Sequence, residues 1–164
     1  MIRRATRDDL PQVNLMRAEV ASMHSAARPD IFHDVPPEAR LIPMQATSLE
    51  MLADENKDLI VWDEGETIAG FVCADYVIRP ANAYAPEQRY CYVKELGVGE
   101  AFRNQGIARK LMQWVQAEAR RRKLNRVELD VWAFNEGAVS LYESLGFKTR
   151  YCYMELDIEN AADH

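Results

Sequence analysis

Three cysteines, three histidines and seven glycines are all that this chain of 164 residues holds of the types that most often mark disulfides, metal centres and phosphate loops. Cys73, Cys91 and Cys152 are odd in number and stand beside aromatic or apolar neighbours. They read as buried, reduced thiols, and none adjoins a histidine in a nucleophile motif. His24, His33 and His164 lack the spacing of metal ligands, so metal chemistry is not indicated. No apolar run reaches the length of a membrane span, and the opening "MIRRATRDDLP" lacks the continuous apolar segment of a secretory signal. The expectation is a cytoplasmic protein with no membrane partner. Positive charge is also short: the formal net charge is -6, so the attraction to phosphate backbones on which nucleic-acid binders rely is missing, and no nucleic-acid partner is expected. Glycine occurs neither as G-x-x-x-x-G-K-[ST] nor as G-x-G-x-x-G, which excludes the usual nucleotide-hydrolysing and dinucleotide-binding loops.

What the chain does have is the make-up of one globular domain over residues 1–164, with 48% hydrophobic and 28% charged residues. "MIRRAT" reads as a short edge strand. Thr6 with Asp9 offers an N-cap pair for a helix to about Ser22, with Leu10, Val13, Leu15, Met16 and Val20 on its apolar face. Four of the seven prolines fall in "HSAARPDIFHDVPPEARLIP", read as a surface loop before a shorter helix, "MQATSLEMLADEN". "DLIVWDEGETIAGFVCADYVI" reads as a hairpin turning at Asp63-Glu64-Gly65-Glu66. After the loop "RPANAYAPEQ" come the strand "RYCYVKELGV", a helix from Gly106 to about Arg122, the strand "RVELDVW", the helix "NEGAVSLYESLG" and a last strand, "FKTRYCYMELDI". Antiparallel hairpins and strand-helix-strand crossovers occur together. The fold class is therefore α+β: a single domain with a mixed central sheet flanked by helices.

One passage changes rhythm from strand to helix across a turn: "YVKELGVGEAFRNQGIARKLM". In Arg103-Asn104-Gln105-Gly106-Ile107-Ala108 the glycine permits close backbone approach, and the small Ala108 leaves room at the first helical turn. A helix N-terminus with unpartnered amides and a positive dipole end suits an anion, a pyrophosphate in particular. Ile107, Leu111, Val115 and Ala119, with Ala108 and Met112 beside them, form the stripe that would pin the helix to the sheet. Spacing alone leaves a plain strand-turn-helix connection equally open.

The same passage resembles the acetyl-CoA-binding motif of the GNAT superfamily of N-acetyltransferases, whose pattern [QR]-x-x-G-x-[GA] is matched by Arg103-x-x-Gly106-x-Ala108. "VWAFNEGAVSLYESLGFK" is similar to the superfamily's next block, through Asn135, Ala138, Leu141-Tyr142 and Leu145-Gly146-Phe147. Two ordered motifs are more specific than either alone.

The resemblance implies direct transfer of an acetyl group from acetyl-CoA, as cosubstrate, to an amine, with no metal. It places the pyrophosphate on the backbone of Arg103, Asn104, Gln105, Gly106, Ile107 and Ala108. The pantetheine amides and the thioester oxygen would meet main-chain groups of Leu96, Gly97 and Val98, with Gly97 easing the strand away from its neighbour. Asn135 would bond the cofactor arm, and Tyr142 would protonate the departing thiolate. Glu95 would take the amine's proton, directly or through water. Arg109 or Lys110 is offered for the 3'-phosphate, although exposed helix cations are usually solvated. Each role has a plainer counterpart. Tyr142 shares an apolar stripe with Ala138, Leu141 and Leu145, Lys94 and Glu95 alternate across a strand so that one could be only a surface charge, and Arg120 to Lys123 complement a helix dipole.

The acceptor would lie among "HSAARPDIFHDVPP", "RPANAYAPEQRY" and "RYCYMELD". There Phe32, Tyr76, Tyr84, Tyr90, Tyr92, Tyr151 and Tyr153, with Asp30, Asp34, Asp75 and Glu155, offer a cage for a cationic amine. A small-molecule primary amine is the expected acceptor, since the proline-rich loop disfavours an open groove. Acetylation of protein N-termini or lysines, and a CoA-binding regulatory module without turnover, are the alternatives; a homodimer is compatible with all three.

Overall fold

β-Branched and aromatic runs build a five-stranded sheet in the computed structural model, which describes residues 1–158; His164 lies outside the described residues. The strands are β1 (Ile2–Arg4), β2 (Lys57–Asp63), β3 (Ile68–Arg79), β4 (Gln88–Val98) and β5 (Arg126–Leu129), and they lie side by side in chain order. All neighbours are antiparallel except β4 and β5, which run parallel. Four α-helices, α1 (Leu10–Ala27), α2 (Pro37–Ala53), α3 (Ile107–Arg121) and α4 (Glu136–Ser144), and two short 3-10 helices, Arg7–Asp9 and Glu100–Phe102, complete the described elements.

Alternation along β3 divides the core in two. Phe71 and Cys73 face α1 and α2, where Leu10, Val13, Met16 and Met51 are buried. Val72 and Ala74 face α3, where Ile107, Leu111, Met112, Val115 and Ala119 are buried. The α3 stripe thus packs as its spacing requires. At the entry to α1, Asp9 accepts a hydrogen bond from the Thr6 amide at 2.6 Å. The Arg3 guanidinium, bonded to the same carboxylate, holds the Asp9 pKa down at about 2.

Strand β5 stops at Leu129, short of the expected Trp132, and three further elements differ from the sequence reading. First, α1 runs on through Ala27, and Leu15 on its apolar list is half exposed at 52%. Second, the proline-rich loop shrinks to Arg28–Pro36, because α2 begins at Pro37 and carries Pro43 within it. A proline at the first helical position forfeits only an amide that has no intrahelical partner, and packing of α2 on α1 holds the helix across the second. Third, the final strand is missing. Tyr151, Tyr153, Met154, Leu156 and Ile158 are all exposed, and residues 151–158 join no ladder. Charges fasten this segment instead: Arg150 to Glu128 at 2.7 Å and Arg28 to Glu155 at 2.7 Å. Cys152 is accordingly exposed, against expectation, whereas Cys73 and Cys91 are buried and reduced. Burial pushes the Cys91 thiol up to about 12, so it stays protonated and inert.

Among the described residues, no helix is long and apolar enough to cross a membrane.

Candidate active site

The pairing of β4 with β5 stops partway along β4. It runs from Tyr90 opposite Arg126 to Val93 opposite Leu129, and there the strands part. At that point β4 carries an extra residue: Ala74 of β3 faces Val93 while Cys73 faces Glu95, which leaves Lys94 as a bulge. A bulge bends its strand and increases the local twist, so β4 turns away from β5 where the ladder ends. Beyond it, the β5-facing main-chain groups of Leu96, Gly97 and Val98 have no ladder partner among the described residues.

The bulge also corrects two expectations. Lys94 and Glu95 do not alternate across the sheet; both face α1, Glu95 meeting Arg17 and Lys94 lying 3.7 Å from Asp75 on the Cys73 side of β3. The bend, moreover, belongs to Lys94 and not to Gly97. A Cβ on Gly97 would stand 2.5 Å from Cε1 of Phe71, so that glycine makes room for a core ring.

The turn after β4 brings the motif residues together. Asn104 (φ 62°) and Gly106 (φ 78°) both take left-handed backbone, and α3 starts at Ile107. Among the described residues no side chain caps this end. The first intrahelical bond runs from the Lys110 amide to the Gly106 carbonyl at 3.1 Å, so the amides just before it lack intrahelical partners. A Cβ built on Gly106 meets nothing within 4 Å, so the turn is open at the residue just before these amides. Arg103 donates back to the Val98 carbonyl at 3.3 Å and Gln105 to that of Ala101 at 3.2 Å, bracing the turn from within. Of the two cations offered for a 3'-phosphate, Arg109 donates to the Ser144 hydroxyl at 2.7 Å and Lys110 lies over the Trp62 ring. Arg121 and Arg122 both pair with Glu118, in keeping with a structural role for that basic run.

Because β4 and β5 are parallel, their C-terminal ends deliver both following helices to the same end of the sheet, the usual place for a ligand crevice. Asn135 caps α4, its Oδ1 accepting from the Ala138 amide at 3.2 Å. Tyr142 packs on the α3 side of the core, with its ring 5.7 Å from that of Phe147. Burial raises its pKa, which keeps the phenol protonated and able to donate.

On the other side of the wedge stands a residue that the sequence reading missed. Arg17 of α1, only 5% exposed, donates to both carboxylate oxygens of Glu95, at 2.8 and 2.6 Å. Its remaining reach goes to Ser48 at 2.8 Å, Thr47 at 3.2 Å and the Met44 carbonyl at 3.1 Å. Ser48 in turn donates to Asn14. Burial disfavours the guanidinium charge, but the Glu95 bonds and charge outweigh it, and the Arg17 pKa is raised. The available signal was an arginine at a position that the α1 periodicity assigns to the buried face, one turn from Val13.

The expected aromatic cage is dispersed. Tyr76 donates to Asp58, Tyr90 lies between Arg79 and Arg126, Tyr92 donates to Asp130, and Tyr84, Tyr151 and Tyr153 are exposed. Phe32 alone of that set joins a ring cluster, and its companions are His24, Trp132 and Phe134. Burial lowers the His24 pKa, partly opposed by the charge of Glu95.

A sequence model described as the acetyltransferase (GNAT) family matches residues 20–147, which include the turn, Glu95, Asn135 and Tyr142. The chain belongs to the GNAT family. Over 60 residues it is 37% identical to a protein of Bacillus subtilis (strain 168) described as the uncharacterized N-acetyltransferase YdgE; the alignment spans 37% of this chain and 38% of that protein. Among solved structures, a mutant of the BH1408 protein from Bacillus halodurans is 26% identical with a TM-score of 0.86, covering 96% of this chain and 99% of that one. The aminoglycoside N-acetyltransferase AAC(6')-Iy, solved in complex with CoA, shares the fold with a TM-score of 0.72 at 17% identity, covering 96% of this chain and 93% of that one. The GNAT fold thus accounts for the α+β architecture, while Arg17 precedes the span that the family model matches. Among the described residues, no group of histidine, cysteine or acidic side chains could hold a metal ion.

Proposed function

We propose that this GNAT protein transfers an acetyl group from acetyl-CoA directly to a primary amine of a small molecule. The observation that carries the reading is the uncapped start of α3, opened by Gly106, at the end of the sheet where β4 leaves β5. These residues fit the cosubstrate. The amides after Gly106 would hold its pyrophosphate, and main-chain groups of Leu96, Gly97 and Val98 its pantetheine arm. Asn135, whose Oδ1 is spent on the cap, keeps its amide nitrogen as a donor to that arm. Acetyl-CoA supplies an acetyl group activated as a thioester; the protein's task is to manage two protons and one developing negative charge.

Glu95 is the group proposed to receive the acceptor's proton. Each of its oxygens accepts one bond from Arg17 and retains a lone pair for a water or an ammonium. Glu95→Gln keeps the shape and removes the base, so turnover is expected to fall about 10–100-fold near neutral pH and to recover partly at alkaline pH, where more amine arrives deprotonated. A wild-type pH-rate profile at wild-type rate would return Glu95 to a purely structural pairing with Arg17.

Tyr142 is proposed to donate its proton, or at least a hydrogen bond, to the departing sulfur. Its raised pKa keeps that proton available across neutral pH. Tyr142→Phe should lower kcat by about 10–100-fold while changing acetyl-CoA affinity little, which steady-state kinetics and calorimetry resolve together. Full activity would make Tyr142 a packing residue of α4. Thiol release from acetyl-CoA across a panel of small amines and peptides separates the small-molecule reading from protein acetylation and from a CoA-binding module without turnover.

A further inference from the structure

Phe32, Trp132 and Phe134 are large rings that, among the described residues, pack into neither half of the core. They gather instead on the imidazole of His24. His24 lies 6.3 Å from Phe32 and 6.1 Å from Phe134, and Trp132 lies 5.8 Å from Phe32 and 5.7 Å from Phe134. The rings come from the end of α1, the α1–α2 loop and the β5–α4 loop; His24 lies two turns beyond Arg17 on the same face of α1, and the β5–α4 loop begins where the β4–β5 ladder ends. Phe134 is 38% exposed, so the cluster is open to solvent and not a sealed satellite core.

Arg28 edges the cluster, 5.4 Å from the Trp132 ring centroid, and bridges Asp30 at 2.6 Å and Glu155 at 2.7 Å. Glu95 is likewise bridged by Arg17. Lys94 beside Glu95 is matched by Asp75, and Asp130, two residues before Trp132, accepts from the Tyr92 hydroxyl, so carboxylates outnumber cations around the cluster. That excess suits an ammonium. An aromatic or apolar group carried by the amine would bury against the rings, which the thin methylene chain of a polycation does less well.

We infer that the His24, Phe32, Trp132 and Phe134 cluster is the wall of the acceptor pocket and that the acceptor is an amine bearing a flat aromatic or apolar group. The inference rests on the acetyl-transfer reading for its chemistry, though the binding it requires can be measured without turnover. Aromatic contacts add to the area they bury, so the preference reads directly as a fold-change in affinity.

The test uses the intact protein with saturating CoA or acetyl-CoA and two probes, 2-phenylethylamine and spermidine. Calorimetry reads binding in the presence of CoA, and thiol release reads turnover with acetyl-CoA. 2-Phenylethylamine is expected to bind about 10-fold or more tighter than spermidine. Trp132→Ala and Phe134→Ala should each weaken it about 3–10-fold with acetyl-CoA affinity held, and Trp132→Phe should restore most of the loss. Should Trp132→Ala fail to fold, Phe134→Ala, at a partly exposed loop position, carries the same comparison. Tighter binding of spermidine, no binding of 2-phenylethylamine, or an affinity indifferent to both ring truncations would overturn the inference. Binding of 2-phenylethylamine without thiol release upholds the wall and removes acetyl transfer to this amine class; thiol release with spermidine alone does the reverse.

Discussion

Gly106→Glu is expected to abolish acetyl-CoA binding in a protein that still folds. Gly106 has φ 78°, which costs a residue with a Cβ about 1 kcal/mol, a loss that a domain of this size tolerates. The space around that Cβ is empty, so no clash is added. The new carboxylate would sit at the helix end proposed for the pyrophosphate and could itself accept hydrogen bonds from the orphan amides, replacing the ligand's charge with one fixed in the chain. Affinity measured by calorimetry should fall by more than about 100-fold, and Gly106→Ala, which incurs only the strain, should lose far less. Unchanged acetyl-CoA affinity in a folded Gly106→Glu protein would remove the turn from the site altogether.

The second large effect belongs to Arg17. Arg17→Met removes a buried guanidinium that satisfies Glu95, Ser48, Thr47 and the Met44 carbonyl at once, and it leaves a carboxylate facing α1 without its partner. Breaking one side of a buried ion pair costs about 3–5 kcal/mol; the Glu95 side chain is 26% exposed, which places the expected loss near about 3 kcal/mol. Urea unfolding should report that loss, and the melting temperature should drop by about 6–12 °C. Glu95→Gln in the Arg17→Met background should cost much less than in the wild type, since the charge that it removes is by then unpaired. A single mutant within about 1 kcal/mol of wild type would mean that Arg17 is not what holds Glu95 in place.

Much of this site was legible because its signals are local. Gly106 opens a helix whose stripe Ile107, Leu111, Val115 and Ala119 announces the packing that fixes it, and Asn135 and Tyr142 stand in register with a second motif. Arg17 was hidden because its meaning depends on what faces α1 across the sheet, and its charge reads as a solvent residue until the fold buries it. The bulge at Lys94 was hidden for a different reason. Strict alternation predicts opposite faces for Lys94 and Glu95, and only the pairing of Cys73 and Ala74 with β4 reveals that one residue is extra. The closing segment misled in the opposite direction: Tyr151, Tyr153, Leu156 and Ile158 carry a strand-like composition, but composition states a preference and not a partner. Trp132 was read as the end of a strand and Phe134 was given no role, and their assembly with His24 and Phe32 depends on two loops distant in sequence.

The extra residue in β4 places the cleft under the control of chain length and not of side-chain chemistry. Lys94 contributes a surface charge that many residues could replace, yet the position itself determines which way every residue after it faces. With Lys94 in regular register opposite Cys73, Glu95 would point toward α3 and lose Arg17, and Gly97 would no longer stand over Phe71. Point substitution can therefore drift freely at this position, whereas deletion of Lys94 would remove the extra residue, straighten β4 and let it go on pairing with β5. Comparisons that score residue identity alone would rate Lys94 as dispensable; a comparison of strand lengths would rate it among the most constrained positions of the sheet.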